Sequence, residues 1–192
     1  EDALRRDFTV NALFYDPATE QIVDYCEGYA DVRKRTIRMI GDPEVRYRED
    51  PVRMLRAVRL AAKLDGRIDP ATQAPIRQLT DLMANVPPSR LFEEMLISGH
   101  AQSAVERLRA EGLHHGLMPM LDLILEQPLG ERFVTLVLDR TDQRVRAGKS
   151  ISPGFLFAAL LWHEVLVGWR ARQEGGMREL PALHEAMDAI ID

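Results

Sequence analysis

Arginine recurs at every third position from residue 53 to residue 59, as Arg53, Arg56 and Arg59. On a helix this spacing places the guanidinium groups about one turn apart on the same face. Guanidinium groups suit phosphate oxygens and base edges, so the face could bind a nucleotide. The commoner alternative for a basic helix stripe is pairing with water or with carboxylates of the same chain. Under that alternative, the candidate partners are Glu49, Asp50, Glu93 and Glu94.

The helix that carries these arginines has well-marked ends. Asp50 is a suitable N-cap, Pro51 is a suitable first residue, and Gly66 can end the helix. The helix macrodipole disfavours positive charge in the opening turns, where Arg53 and Arg56 lie, so the sequence predicts an anionic partner there. Apolar residues occupy the opposite face of this helix: Met54, Leu55, Val58, Ala61 and Ala62.

A second group of charged residues, Arg5-Arg6-Asp7, precedes the segment 8–15, which is rich in β-forming residues. A carboxylate beside two arginines is commonly a local surface ion pair. At the mouth of a hairpin, however, such a carboxylate could hold a metal ion while a neighbouring guanidinium holds a phosphate. Both interpretations are open on these residues alone.

Strand patterns are confined to the first forty residues. Residues 8–15 and 21–25 flank a turn at 16–19 and predict a hairpin, and residues 35–40 predict a third strand. Two or three strands are too few for an independent sheet, so we expect them to form the edge of a larger one that continues upstream.

The remainder of the chain shows helical periodicity and no fixed repeat. The predicted fold is α+β and mostly α: a small β remnant followed by an irregular helical array. After the arginine helix, helices are predicted at 70–83, 87–98, 102–111, 118–125, 129–147, 153–169 and 183–191.

Composition limits the class of protein. The chain has 192 residues, 46% hydrophobic and 29% charged, with a net charge of -5. This charge argues against binding nucleic acid through overall attraction, so any RNA contact must depend on local patches such as the arginine face.

Cys26 is the sole cysteine and forms no internal disulfide, which fits a reducing cytoplasm. No apolar run is long enough to span a bilayer, and the first residues resemble neither a signal peptide nor a translation start, so we expect an internal piece of a longer protein.

The two charged motifs together resemble the bacterial tRNA nucleotidyltransferase and poly(A) polymerase family (class II nucleotidyltransferases), strongly over residues 1–100. Within that family the chain is more similar to the poly(A) polymerase branch than to the CCA-adding branch, through residues 1–4, 43–48 and 87–94. The matching segments, in order, are residues 5–12, Asp24-Tyr25, Gly28, 37–41 and 48–59.

The resemblance implies a role for individual residues. Arg6 would face the bound nucleotide, and Asp7 would correspond to an active-site carboxylate and to the only potential metal ligand in the chain. Asp50 and Arg53 would present a hydrogen-bonding template to the incoming base, with Glu49 holding Arg53 in place. Arg56 and Arg59 would complete the nucleotide site.

The implied reaction is attack by an RNA 3′-hydroxyl on the α-phosphorus of ATP, with release of pyrophosphate and with two Mg²⁺ ions. The Asp-x-Asp pair that supplies the main metal ligands in this family would lie upstream of Glu1, so the 192-residue chain by itself is expected to be inactive.

The implied partners are ATP, RNA 3′ ends of mRNA or tRNA and RNA-degradation machinery, in the cytoplasm. The implied domains are the end of a nucleotidyltransferase head at 1–41, a helical neck at 42–100 and a helical body at 101–192. CCA addition to tRNA and a non-catalytic helical RNA-binding module remain the alternatives.

Overall fold

The computed structural model describes residues 2–114 and 128–191. The chain divides into two compact units, Glu1–Leu117 and Met118–Asp192. The fold is α+β and mostly α, as the sequence predicted. No helix in the described ranges is both long and apolar enough to cross a membrane. The division of the chain at residues 41 and 100 stays a prediction.

The predicted hairpin is present but shorter than its sequence pattern. Strands β1 (Leu13–Asp16) and β2 (Gln21–Asp24) pair antiparallel, after the short helix α1 (Asp2–Arg5). The Asp16 carboxylate closes the turn by accepting hydrogen bonds from the Ala18 amide and the Thr19 hydroxyl. The turn chemistry of the sequence therefore located the hairpin correctly.

The prediction of a strand over residues 8–15 is wrong for its first half. Phe8 makes an isolated antiparallel bridge with Met39, and Thr9–Asn11 then form a 3₁₀ turn. Helix α2 (Gly28–Arg33) passes so close to this turn that a Cβ on Gly28 would lie 2.1 Å from the Thr9 carbonyl oxygen. Tertiary packing here overrides the β-propensity of the segment.

The third predicted strand pairs with a segment that the sequence analysis did not identify. Strand β3 (Thr36–Ile37) pairs in parallel with β4 (Arg67–Ile68). The approach of the two backbones requires a glycine, because a Cβ on Gly66 would lie 2.2 Å from the Arg35 carbonyl oxygen. The expectation that the hairpin belongs to a larger sheet stays a prediction.

Two consecutive helices carry most of the charged residues of interest. Helix α3 (Pro43–Glu49) begins at Asp42, whose side chain accepts from the Val45 amide, and helix α4 (Val52–Lys63) follows after Asp50-Pro51. The Asp50 carboxylate accepts a hydrogen bond from the Val52 amide at 3.1 Å, and the arginine helix begins one residue after the predicted first residue, Pro51. At its end, Asp65 rather than Gly66 adopts the left-handed conformation, with φ of 44°.

The apolar face of α4 forms the centre of the first unit. Met54, Leu55 and Val58 are fully buried, together with Phe8 and Tyr47 from neighbouring segments. The elements that complete the unit are α5 (Pro70–Gln78), a 3₁₀ helix (Thr80–Asn85), α6 (Pro88–Leu91), a π-helix (Phe92–Leu96) and α7 (Ala101–Ala110). The predicted helices at 70–83 and 87–98 are therefore each composed of two types of helix.

The second unit contains three described helices, α8 (Pro128–Arg146), α9 (Pro153–Glu174) and α10 (Glu179–Ile191). Ser152 caps α9 by accepting from the Phe155 amide, and Leu156 and Leu160 are buried in this unit. The predicted helices at 129–147, 153–169 and 183–191 are confirmed with small shifts in their bounds. The predicted helix at 118–125 lies outside the described residues.

Candidate functional site

The arginine face of α4 lies against the turn that carries Asp7. Backbone pairing holds this turn in place, because the Ile40 amide donates to the Asp7 carbonyl at 3.0 Å and the Thr9 amide donates to the Arg38 carbonyl at 3.0 Å. The two charged motifs of the sequence therefore meet in the folded chain, with Asp7 as the point of contact.

Asp7 accepts a hydrogen bond on each of its carboxylate oxygens. Arg53 Nε donates to Oδ1 at 2.8 Å, and Arg56 Nη1 donates to Oδ2 at 2.8 Å. Burial alone would raise the pKa of Asp7, but the hydrogen bonds and charges of the two arginines outweigh it, so the pKa lies below its ordinary value. Asp7 is therefore the ionised anchor of both guanidinium groups.

Arg53 is held from three sides. Besides Asp7, its Nη1 donates to Glu49 Oε2 at 3.0 Å and to the carbonyl oxygen of Arg46 at 2.7 Å. Its side chain is 14% exposed. Within residues 2–114 and 128–191, Nη2 has no hydrogen-bond acceptor, so it is the donor that remains available.

Arg46 is a member of this site that the sequence analysis missed. Its Nη2 donates to the carbonyl oxygens of Arg5 and Arg6 at 3.3 and 3.1 Å, and it lies 3.5 Å from Asp7 Oδ1. Its Nη1 lies 3.4 Å from Glu49 Oε2. The i,i+3 spacing between Arg46 and Glu49 would have indicated it if a helix had been predicted over residues 43–49.

Glu94 holds the outer part of the arginine face. Its carboxylate accepts from Arg56 Nε at 3.1 Å and lies 3.1 Å from Arg59 Nε, where the contact is an ion pair without hydrogen-bond alignment. Glu94 belongs to the π-helix and its side chain is 13% exposed. Glu93, the neighbouring candidate, pairs with Arg90 instead, so its predicted pairing with the arginine face is wrong.

The other two predicted residues occupy different positions. Asp50 lies at the edge of the cluster, with Oδ1 on the Val52 amide and Oδ2 3.6 Å from Arg56 Nη1. Arg6 is oriented toward Asp2, at 3.1 Å, and its guanidinium lies over the Phe14 ring at 5.8 Å. The structure therefore brings together every predicted site residue except the side chain of Arg6.

The cluster is electrostatically balanced. It contains four arginines, at 46, 53, 56 and 59, and four carboxylates, at 7, 49, 50 and 94. The ion pairs within the chain fix the orientation of each guanidinium, and they leave donors of Arg53, Arg56 and Arg59 without a partner in the described part of the chain. The arrangement can present oriented guanidinium groups to a ligand that carries phosphate oxygens or a base edge.

A divalent metal does not fit these residues. Both oxygens of Asp7 are engaged by guanidinium groups, which repel a nearby dication. Across the described ranges, no group of three or more His, Cys, Asp or Glu side chains is arranged to bind a metal ion.

Comparisons with known proteins agree with this geometry. A family model described as "Poly A polymerase head domain" matches residues 1–38, and one described as "Probable RNA and SrmB- binding site of polymerase A" matches residues 67–125. Poly(A) polymerase I of Salmonella typhi is 43% identical over the whole chain, which covers 43% of that protein. The Haemophilus influenzae protein of the same name is 41% identical over the whole chain, which covers 44% of it. The chain thus spans less than half the length of these relatives.

A second group of relatives consists of CCA-adding enzymes. The Bacillus licheniformis enzyme is 37% identical over 69% of this chain and 34% of its own length. The crystal structure of the Bacillus stearothermophilus CCA-adding enzyme in complex with CTP matches 98% of this chain and 58% of that one, with 26% identity and a TM-score of 0.58. Similarity in sequence and fold, together with the two motifs that meet at Asp7, shows that the chain belongs to the tRNA nucleotidyltransferase and poly(A) polymerase family.

Proposed function

We propose that the protein containing this chain is a template-independent RNA 3′-end nucleotidyltransferase that adds AMP from ATP and releases pyrophosphate. The observation that carries the proposal is the fixation of Arg53 by Asp7, Glu49 and the Arg46 carbonyl. A guanidinium held in this way can select a base by geometry, without a nucleic-acid template.

In this proposal Asp50 and Arg53 read the base. Asp50 supplies an acceptor, and its side chain is 36% exposed, while Arg53 supplies the Nη2 donor. An acceptor and a donor at fixed positions can pair with the edge of a base as another base would. Selection of ATP then depends on how rigidly the two side chains are held.

Arg56 and Arg59 contribute positive charge to the same site. Their side chains are 29% and 34% exposed, and both are oriented by Glu94. Guanidinium donors in this position suit the phosphate oxygens of a nucleotide. Arg6 would join them only after leaving Asp2, with which it forms an exposed ion pair.

Asp7 acts as a positioning residue in this proposal. It holds Arg53 and Arg56, and it is not assigned to the metal or to the reacting atoms. The divalent metal that the family implies would be held by carboxylates other than those described here, and no step is assigned to it.

RNA 3′ ends are the proposed acceptor. The match of residues 67–125 to a family model for an RNA-binding and SrmB-binding site supports an RNA partner. Involvement of RNA-degradation machinery stays a prediction.

CCA addition to tRNA is the second candidate. It is favoured by the CCA-adding relatives at 37% identity, whereas the poly(A) polymerases match at 43% over the whole chain. The higher identity and fuller coverage favour polyadenylation.

Primer extension by the complete protein tests the proposal. ATP alone and ATP with CTP are offered with a generic RNA and with a tRNA that lacks its 3′ end. Long adenosine tails on the generic RNA support polyadenylation, addition of CCA to the tRNA alone supports the second candidate, and no extension of either substrate contradicts both and leaves the RNA-binding module.

Arg53→Lys tests the base-reading role in the same assay. Lysine keeps the charge, but its single nitrogen cannot occupy the positions of Nε, Nη1 and Nη2 together, so the base-reading Nη2 donor is lost. The preference for ATP over CTP should fall at least about tenfold. Arg90→Lys is the matched control, because Arg90 forms an exposed pair with Glu93 outside the cluster.

A further inference from the structure

We infer that Arg46 is a positioning residue for nucleotide selection, which it controls without touching the nucleotide. The inference rests on the proposed function, because selection by Arg53 is what it explains. Its evidence is the set of contacts through which residue 46 joins the Asp7 turn to the two base-reading side chains.

Arg46 and Arg53 share their acceptors. Arg53 donates to Asp7 Oδ1 and to Glu49 Oε2, and the Nη groups of Arg46 lie 3.5 and 3.4 Å from the same two oxygens. The four side chains therefore form a closed ring in which positive and negative charges alternate. Removal of the Arg46 guanidinium leaves Arg53 as the one cation of the ring that bridges the two carboxylates, so the orientation of Arg53 loses one of its constraints.

The backbone of residue 46 holds the base-reading pair directly. Its carbonyl oxygen accepts from Arg53 Nη1 at 2.7 Å and from the Asp50 amide at 3.2 Å. The backbone amide of Asp50 and the side chain of Arg53 therefore bond to the same carbonyl oxygen. A displacement of this carbonyl moves both members of the pair.

The side chain of Arg46 connects helix α3, which carries this carbonyl, to the turn before the hairpin. Its Nη2 donates to the carbonyl oxygens of Arg5 and Arg6, some forty residues earlier in the chain. Through these two hydrogen bonds and the contact with Asp7, helix α3 stabilises the position of this turn. The guanidinium is 18% exposed, and its Nε is buried without a hydrogen-bond partner in the described part of the chain. It is therefore held entirely through its two Nη groups, which face protein atoms.

The phosphate-binding part of the site is linked to Arg46 only indirectly, because Arg56 and Arg46 contact different oxygens of Asp7. Arg59 and the Nε of Arg56 are oriented by Glu94, for which no contact with Arg46 is found in the described part of the chain. Loss of the Arg46 guanidinium should thus relax base selection while the phosphate contacts persist. This split distinguishes a positioning role from a general contribution to stability, which would affect all nucleotides equally.

The test compares Arg46→Met, Arg46→Lys and Arg48→Met in the complete protein. Met keeps an unbranched stem that is about as long as the arginine side chain up to Nε, and it removes every donor. Arg48 is the matched control, because it lies on the same helix and pairs with Glu44 in an exposed i,i+4 contact. Single-nucleotide extension of an RNA primer gives kcat/KM for ATP and for CTP, and a thermal melt reports the folded state.

Arg46→Met should lower the ratio of kcat/KM for ATP to that for CTP at least tenfold, and mainly by reducing the value for ATP. Arg46→Lys should restore part of the ratio. An ammonium can bind the carbonyl oxygens of Arg5 and Arg6, or the carboxylates of Asp7 and Glu49, but not both sets. Arg48→Met should leave the ratio within a factor of two. An equal loss for both nucleotides in Arg46→Met, or an unchanged ratio, would overturn the inference.

A second measurement separates failure of this inference from failure of the proposed function. In the complete protein without RNA or nucleotide, the Arg53 Nε–Hε proton can be followed by NMR, and its exchange with water should be at least tenfold faster in Arg46→Met than in the wild type. If the wild-type protein extends no RNA, the proposed function fails and this exchange rate alone decides whether Arg46 positions Arg53. An unchanged rate would mean that it does not.

Discussion

Asp7 and Arg53, forty-six positions apart in the chain, are joined by a hydrogen bond of 2.8 Å between Oδ1 and Nε. This bond connects the two charged motifs of the sequence and is reinforced by the bond from Arg56 to the other oxygen of Asp7. It gives the site its principal long-range constraint. Changes at Asp7 should therefore affect the stability of the first unit as well as the geometry of the arginine face.

Asp7→Asn should lower the free energy of unfolding of the first unit by about 3 kcal/mol, because it removes the anionic partner that two partly buried guanidinium groups share. Amide hydrogen exchange in α4 measures this directly. Asp2→Asn is the control: Asp2 pairs with Arg6 at the surface, so the change should be below about 0.5 kcal/mol. Equal effects of the two substitutions would contradict the anchoring role of Asp7.

The contribution of Asp7 should also depend on pH. Burial alone would raise the pKa of Asp7, but the hydrogen bonds and charges of Arg53 and Arg56 outweigh burial and lower the pKa below its ordinary value in the folded chain. The unfolded state therefore binds a proton at Asp7 more readily, and the stabilisation is complete above the ordinary pKa and is lost as the pH falls through the folded one. The stability difference between the wild type and Asp7→Asn should be constant from pH 7 to about pH 5 and shrink below about pH 4. A difference that grows in acid would contradict this assignment.

Glu94→Gln should destabilise the first unit by about 2 kcal/mol, because the carboxylate that serves both Arg56 and Arg59 is largely shielded from water. Glu93→Gln is the adjacent control, since Glu93 and Arg90 are each 55% exposed and their pair should contribute less than about 0.5 kcal/mol. Urea denaturation followed by far-UV circular dichroism compares the two. A larger effect at Glu93 would show that the π-helix presents a different carboxylate to the arginine face.

Gly66→Ala should cost about 1–3 kcal/mol, because the added Cβ would lie 2.2 Å from the carbonyl oxygen of Arg35 and would separate β3 from β4. Gly154→Ala is the matched control in the other unit, where the nearest atom to the added Cβ is Ser152 Oγ at an ordinary 3.6 Å. That substitution in α9 should be neutral or stabilising by up to about 1 kcal/mol. Amide exchange in β4 and in α9 reports the two effects separately, and full tolerance of Ala at 66 would contradict the close approach.

Local signals in the sequence were sufficient for the arginine helix and for the hairpin. Asp50 and Pro51 mark the start of α4, and the turn at Asp16 depends on hydrogen bonds within four residues. Strand β4 could not be found in the same way, because two residues carry no pattern and their partner β3 lies about thirty residues earlier. The predicted strand over Thr9–Asn11 failed because helix α2 packs against that turn, which is a tertiary constraint.

The candidate site shows the same distinction. The sequence analysis named Glu49, Asp50 and Glu94 as candidate partners of the arginine face, and each forms such a pair. It could not show that Asp7 is a further partner, because that contact depends on the backbone pairing of residues 7–9 with residues 38–40. Arg46 was missed for the same reason, since its acceptors on the Asp7 turn are some forty positions away.

The bridge between Phe8 and Met39 closes the segment between them at its base. Residues 9–38, which include the hairpin and α2, therefore leave the chain and return to it at the same place. Asp7 and Arg53 are therefore positioned relative to each other by the Phe8–Met39 bridge, and the residues of the hairpin and α2 do not lie between them in the structure. A longer or shorter hairpin changes only this side loop. The hairpin can therefore vary in length while the distances in space between Asp7 and the arginines stay constant.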